Sequence, residues 1–242
     1  MITGGTGGLG FYLATSLNGA GHQLTVTGRN PQKLKILNDS GIHAVYWDME
    51  IDETIPSAIT SNDYDVVILN AGIGFFKPHH ELNPREIDAM MKVNTTIPIQ
   101  LATIHSNHFQ ARGNGHLVFI GSLAGKMATP KASVYAATKH ALDGYVQGLR
   151  MELQHSKVHV SILHPGPIDT PFIDKADASG GYKKALGKHL LSIEEVGEKV
   201  LDVLDKPKGE VLIPTYLGVL AKLTKVFPLT VEKWGQRFYA KK

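Results

Sequence analysis

Tyr135 and Lys139 stand four residues apart in the run Ser133-Val134-Tyr135-Ala136-Ala137-Thr138-Lys139, and Ser122 lies thirteen positions before the tyrosine. On a helix, residues four apart share a face, so the Lys139 ammonium can lie beside the Tyr135 phenol. A free phenol ionises near pH ~10 and is a poor acid or base at neutrality, but a neighbouring cation favours its ionised form. The pair is therefore a candidate proton donor or acceptor. A helix surface can also carry Tyr and Lys by chance, so the rest of the chain has to decide.

A second group comes almost at once, in Thr3-Gly4-Gly5-Thr6-Gly7-Gly8-Leu9-Gly10. Such a run suits a tight turn from a strand into a helix, where backbone N–H groups can approach a pyrophosphate and the helix N-terminus favours its charge. Gly4, Gly8 and Gly10 give the spacing G-x-x-x-G-x-G, whereas the commoner dinucleotide fingerprint is G-x-G-x-x-G. Gly5 and Gly7 leave the assignment partly degenerate, and a flexible turn remains the alternative for this loop taken alone.

The elements that must position these residues alternate. Apolar runs rich in β-branched residues predict strands at 22–27, 42–46, 65–69, 115–121, 157–163 and 210–213. Helices are expected after the glycine loop, from Asn30-Pro31 onward, and around 54–61, 84–110, 132–155 and 192–204. Asn30 can cap with Pro31 in the first turn, and Ser192-Ile193-Glu194-Glu195 reads as a capping box. The alternation argues for successive β-α units and a parallel sheet. The strand feeding the glycine loop has only Met1, Ile2 and Thr3, against a usual five or six residues. The expectation is a natural start upstream.

Together the motifs resemble the short-chain dehydrogenase/reductase family in its compact form. Thr3-Gly4-x-x-x-Gly8-x-Gly10 is similar to the family's cofactor loop, Asn70-Ala71-Gly72 to its strand-four signature, and Pro165-Gly166-Pro167-Ile168-Asp169-Thr170 to the segment before its substrate loop. Asn94, Ser122, Tyr135 and Lys139 match its catalytic tetrad. The matches run in family order from Thr3 to Thr170. The resemblance implies an α/β fold with a doubly wound, Rossmann-like parallel sheet in three layers, its first strand here truncated.

It also implies hydride transfer between a nicotinamide and a carbonyl or carbinol carbon. In that frame Tyr135 is the general acid/base and Ser122 polarises the substrate oxygen. Lys139 lowers the tyrosine pKa and holds the nicotinamide ribose, and Asn94 orders a water relaying protons to Lys139. Alternatively, Val93-Asn94-Thr95 simply interrupts a long helix through side-chain hydrogen bonds. Gly4, Thr6, Gly8, Leu9 and Gly10 would cradle the cofactor, Asp48 would meet the adenine, and Asn70, Ala71 and Gly72 would back the adenosine ribose. Pro165, Gly166, Ile168 and Thr170 would sit beside the nicotinamide; His164 before them reads as structural.

The second predicted strand ends in Gly28-Arg29-Asn30, where a dinucleotide fold chooses its cofactor. An acidic residue there accepts from the ribose 2′-hydroxyl, and a guanidinium pairs with a 2′-phosphate. Arg29 therefore points to NADP(H), although Gly7 stands where relatives often add a second basic residue.

Bulk properties set the outer limits. The 242 residues suit one dinucleotide-binding and catalytic domain, with a substrate flap at 171–191 and an amphipathic extension at 215–242. No apolar run of about 18 residues predicts a membrane span. The absence of cysteine excludes disulfides and thiol chemistry and suits a cytoplasmic location, and a start at Met1-Ile2-Thr3 leaves no room for a signal peptide. The net charge of +3 carries no nucleic-acid signature. His105 and His108 are spaced like metal ligands on a helix, but no third ligand accompanies them, so no metal is expected.

After the last strand, Leu217, Leu220, Leu223, Phe227, Trp234 and Phe238 mix with Lys222, Lys225, Lys233, Arg237, Lys241 and Lys242, interrupted by Pro228. Such a segment can lie on an anionic membrane, cover the substrate pocket or pack in a homodimer, and the last two are preferred. The expected partners are a small carbonyl or alcohol substrate and a second or further copies in a homodimer or homotetramer. The tail counts against a 3-oxoacyl thioester reductase, and the Ser122–Lys139 block resembles reductases of ketones, steroids and other lipophilic carbonyls, so a lipophilic ketone or aldehyde is the expected substrate. An extended-type isomerase or epimerase fits the glycine spacing and length less well. A non-catalytic cofactor sensor is the rival of another class; it could lose Ser122 or Tyr135, and both are present.

Overall fold

The computed structural model describes residues 1–187 and 190–218, together with Leu229 and Lys233. The central layer holds β1 (Thr25–Gly28), β2 (His43–Tyr46), β3 (Val66–Leu69), β4 (Gly115–Ile120), β5 (Val158–Pro165) and β6 (Glu210–Ile213). All pairings are parallel, in the orders β1-β2 and β3-β4-β5-β6. Ile2 joins the two groups, bridging to Val26 on one side and Ile68 on the other. Its N–H donates to Thr25 O at 2.9 Å and its carbonyl accepts from Thr27 N at 3.0 Å; Thr3 N and Met1 O pair with Ile68. The short first strand is thus central, and the sheet order reverses across it. In open α/β sheets such a reversal leaves a crevice at the carboxyl ends of the strands.

Helices cover both sheet faces because the strands alternate apolar residues to both sides. Val67, Leu69, Leu117, Phe119 and Ile162 pack with Leu101, Phe109, Leu142 and Val146 from α5 (Ile97–Arg112) and α6 (Ser133–Glu152). Ile2, Val26, Ile68, Val118 and Leu163 pack on the other face with Leu13, Leu37 and Val200 from α1 (Gly8–Gly19), α2 (Pro31–Asp39) and α9 (Ile193–Asp205). Three layers result, as the resemblance implies. Asn30 caps α2 by accepting from Lys33 N at 3.0 Å, and Ser192 caps α9 by accepting from Glu195 N at 3.0 Å.

Three boundaries differ from expectation for identifiable reasons. The strand expected from residue 22 begins at Thr25, because His22 and Gln23 are exposed and have no core face. The helix expected over 54–61 shrinks to α3 (Ser57–Thr60); Pro56 disfavours helical backbone at the residue before it. The helix expected over 84–110 is α4 (Pro84–Met91), a π turn at Lys92–Thr96, and α5. The flap carries α7 (Pro171–Ala176) and α8 (Gly181–Leu186), with Lys188 and His189 outside the described residues. Within the amphipathic extension, Leu220, Lys222, Leu223, Lys225, Phe227, Pro228, Trp234, Arg237, Phe238, Lys241 and Lys242 also lie outside them. No helix among the described residues is long and apolar enough to cross a membrane.

Candidate active site

The carboxyl ends of the strands open into a cleft of about 770 Å³ that brings together the glycine loop, Arg29, Asp48, Asn70, Ser122, Tyr135, Lys139 and the Pro165–Thr170 segment. Tyr135 and Lys139 project from one face of α6, as their spacing requires, and both are buried. Ser122 follows β4 and its hydroxyl accepts from Ala124 N at 3.1 Å, which starts a short 3₁₀ turn. Burial pushes the Tyr135 phenol up to about 12, with a hydrogen bond to Ser122 opposing the rise. Burial also brings the Lys139 ammonium down to about 8. The expected lowering of the tyrosine by Lys139 is not seen. The Lys139 Nζ donates to Ile120 O at 3.1 Å and stands 5.9 Å from the Tyr135 ring centre, so desolvation of the phenol wins.

Asn94 sits in the π turn and is fully buried. Its Oδ1 accepts from Ile73 N at 2.8 Å, and its Nδ2 donates to Ile73 O at 2.9 Å and Thr138 Oγ1 at 3.1 Å. The inserted residue of a π turn explains how a long helix yields this side chain to a loop, since such turns recur at functional sites. The helix-interrupting reading of Val93-Asn94-Thr95 therefore describes the local structure. It also places Asn94 beside the site: a Cβ built on Gly72 would come 3.4 Å from Asn94 Oδ1 and 3.7 Å from Lys139 Nζ.

The glycine loop is shaped for close approach. Gly4 has φ +68°, and a Cβ on Gly10 would fall 2.4 Å from Gly4 O and 2.6 Å from Asn70 Nδ2. Asn70 Nδ2 donates to Thr3 O at 2.9 Å, while Asn70 N and Ala71 N both donate to Thr3 Oγ1 at 3.0 Å. The Asn70-Ala71-Gly72 signature thus clamps the turn between the first strand and β3. Gly7 caps α1 without a side-chain hydrogen bond, leaving the helix N-terminus facing the cleft with Thr6, Gly8 and Leu9. A side chain on Gly8 would strike Thr170 Cγ2 at 2.7 Å. This glycine cradle at a helix N-terminus fits a dinucleotide.

Downstream, Gly166 N donates to Ile213 O at 2.7 Å and Asp169 N to Leu191 O at 2.9 Å, so Pro165, Gly166, Ile168 and Thr170 are held at the cleft wall. Arg29 lines the opposite end. Its guanidinium is ion-paired with Glu50 and lies 3.5 Å from Asp48 Oδ1. Asp48 Oδ1 also accepts from Glu50 N at 3.0 Å, which ties the turn after β2 to the guanidinium. Lys33 shares this end of the cleft, its ammonium 4.8 Å from the Phe11 ring centre.

The family model for short chain dehydrogenases matches residues 1–179. The chain belongs to the short-chain dehydrogenase/reductase family. Among its relatives, the uncharacterized oxidoreductase YbbO of Escherichia coli is 27% identical over 241 residues, covering 94% of this chain and 90% of that protein. A closed-form serine dehydrogenase complexed with NADP+ has a TM-score of 0.79 at 25% identity, over 88% of this chain and 94% of its own. A short-chain dehydrogenase from Sphingobium yanoikuyae in complex with NADPH has a TM-score of 0.80 at 24% identity, over 98% and 93% of the two chains. The fold is the Rossmann-like one, and the family is one of oxidoreductases acting on CH–OH and C=O groups.

This short-chain dehydrogenase has site residues that the motifs do not reveal. Phe76 packs edge-on to Tyr135 with ring centres 5.4 Å apart, Phe172 lies 5.8 Å from Tyr135, and Tyr182 lies 4.9 Å from Phe76. The three rings come from the loop after β3 and from the flap helices α7 and α8. Only their aromatic type near glycines hints at them: a Cβ on Gly74 would meet Phe76 at 3.0 Å and Phe172 at 3.1 Å. Glu50 is the other omission, since nothing in its neighbourhood announces that it folds onto Arg29. His105, spaced as a metal ligand, is instead buried against Tyr64, with ring centres 5.6 Å apart.

Proposed function

We propose that this chain is an NADP(H)-dependent reductase that interconverts a lipophilic ketone or aldehyde with its alcohol. The observation that carries this reading is the convergence of Ser122, Tyr135 and Lys139 on one cleft wall beside the rings of Phe76, Phe172 and Tyr182. A nicotinamide dinucleotide, when bound, supplies or accepts the hydride. The residues of the chain manage everything else. Tyr135, protonated at neutral pH by virtue of its burial, donates its proton to the carbonyl oxygen as the general acid during reduction and takes the alcohol's proton as the general base during oxidation. Ser122 hydrogen-bonds the same oxygen and stabilises charge that develops there. Lys139 presents a cation behind Tyr135 whose proton is easily lost, and Asn94 holds the Ile73 backbone beside the site.

Arg29, helped by Lys33, supports a 2′-phosphate and hence NADP(H) over NAD(H). The apolar rings exclude water and give a hydrocarbon-rich substrate its contact area. NADPH consumption measured against aldehydes, cyclic and aromatic ketones and 3-oxoacyl thioesters is the test. The reading expects turnover with the lipophilic ketones or aldehydes and little with the thioesters. NADPH binding without turnover of any carbonyl would identify a cofactor sensor instead.

A further inference from the structure

His164, the residue before Pro165-Gly166, is fully buried and does not line the cleft. Its ring fits under the end of β4 because residue 121 is glycine; a Cβ there would lie 2.8 Å from His164 Nδ1. Nδ1 is 3.1 Å from the Ser122 carbonyl oxygen. A carbonyl only accepts, so Nδ1 carries the proton of that hydrogen bond. Nε2 faces two more acceptors, Asp143 Oδ1 at 3.3 Å and Glu210 Oε1 at 3.4 Å. Its lone pair would be repelled by both carboxylates; a second proton turns both contacts attractive.

The surrounding charges support that state. Lys126 Nζ reaches both Asp143 carboxylate oxygens at 2.7 Å and Glu210 Oε1 at 2.5 Å, and Gln147 Nε2 donates to Asp143 Oδ2 at 2.8 Å. Burial alone would raise the Asp143 carboxyl, but the approach of His164 and the hydrogen bonds from Lys126 hold it well below the usual carboxylate range. Asp143 is buried and Glu210 is about one-third exposed, so the Nε2 side of the ring meets carboxylate oxygens both inside the protein and at its rim. These residues come from four places in the fold: the loop after Ser122, α6, β5 and β6. They converge around His164, which alone reaches the Ser122 carbonyl.

We infer that His164 is a positioning residue, carried as an imidazolium between the Ser122 carbonyl and the Asp143 and Glu210 carboxylates, that fixes Ser122 by donating to its carbonyl. This rests on the reading of Ser122 as the group that hydrogen-bonds the substrate oxygen. Nitrogen NMR of the His164 ring in the full chain at neutral pH, assigned by its loss in His164→Asn, should find both nitrogens protonated. A singly protonated ring would overturn the inference, and this measurement needs no variant to be active.

Kinetics supply the second arm. His164→Gln, whose amide replaces Nε2, should lose up to about 100-fold in kcat, the cost of a slightly misplaced catalytic group, with cofactor affinity unchanged. His164→Asn, whose amide replaces Nδ1, should recover most of that loss. Equal losses in the two would make His164 a packing residue only. Ser122→Ala separates the two layers of the argument. Full turnover in Ser122→Ala would refute the role of Ser122 and this inference with it, whereas an inactive Ser122→Ala beside a singly protonated ring would refute the inference alone.

Discussion

Lys139 stands on the same face of α6 as Tyr135, yet its ammonium donates to the Ile120 carbonyl and lies 5.9 Å from the tyrosine ring centre. Burial brings Lys139 down to about 8 while pushing Tyr135 up to about 12. Of the two groups, the lysine is the one that titrates near neutrality. Reduction consumes a proton and needs the charged lysine behind the phenol. Its kcat/KM should therefore be level below about pH 7 and fall roughly tenfold per unit well above pH 8, following the free-enzyme ionisation. Lys139→Arg should move that fall to higher pH. A profile level to pH 10 in the unaltered enzyme would remove Lys139 from the proton path.

Arg29 is held by Glu50, so an incoming 2′-phosphate must compete with a carboxylate. Glu50→Gln should strengthen NADPH binding by up to about 5-fold, the worth of an exposed ion pair, and leave NADH nearly unchanged. Arg29→Asp should weaken NADPH far more than NADH. Titration calorimetry with each dinucleotide reads both effects, and equal losses for the two dinucleotides in Arg29→Asp would show that Arg29 does not read the phosphate.

How much of this was legible in the sequence depends on separation along the chain. Tyr135 and Lys139 are one helical turn apart, the glycine loop is contiguous, and Asn30 and Ser192 cap helices within three residues, so local rules suffice. Ser122 and Asn94 were legible through the family resemblance, and the helix-breaking tendency of Val93-Asn94-Thr95 became a π turn. Glu50 on Arg29, the rings of Phe172 and Tyr182 on Phe76, and the cage around His164 are different. Each joins residues on separate elements, and only the folded sheet brings them into contact. The pKa of Tyr135 follows the same division, because spacing can show a nearby lysine but not the burial that outweighs it.

The histidines bear on stability. His105 and His116 are buried, and burial lowers both to about 4, with His108 and His159 contributing smaller repulsions. An unfolded chain takes up protons at these sites near the ordinary value of about 6.5, before the folded one does. Stability is then full above pH 6.5 and declines as pH falls toward 4, by on the order of 3 kcal/mol per histidine. Urea midpoints measured at pH 7 and pH 5 should show the decline, and His105→Leu should make it shallower. The same decline in the variant would show that His105 does not contribute.

Phe172 belongs to α7 of the flap and meets both Phe76 and Tyr135. Loss of an aromatic contact of this kind costs about 0.5–1.5 kcal/mol beyond area burial. Phe172→Ala should accordingly raise KM for a lipophilic ketone by roughly 3- to 10-fold while NADPH affinity stays constant. An unchanged KM would mean that the ring packs the lid without touching substrate.

The account stands on Tyr135 as the general acid, and Tyr135→Phe removes only its hydroxyl. With a carbonyl substrate that supports NADPH oxidation, single-turnover reduction by Tyr135→Phe should slow by about 10²- to 10⁴-fold, while NADPH binding and thermal stability stay near those of the unaltered protein. Near-full turnover in this variant would contradict the assignment.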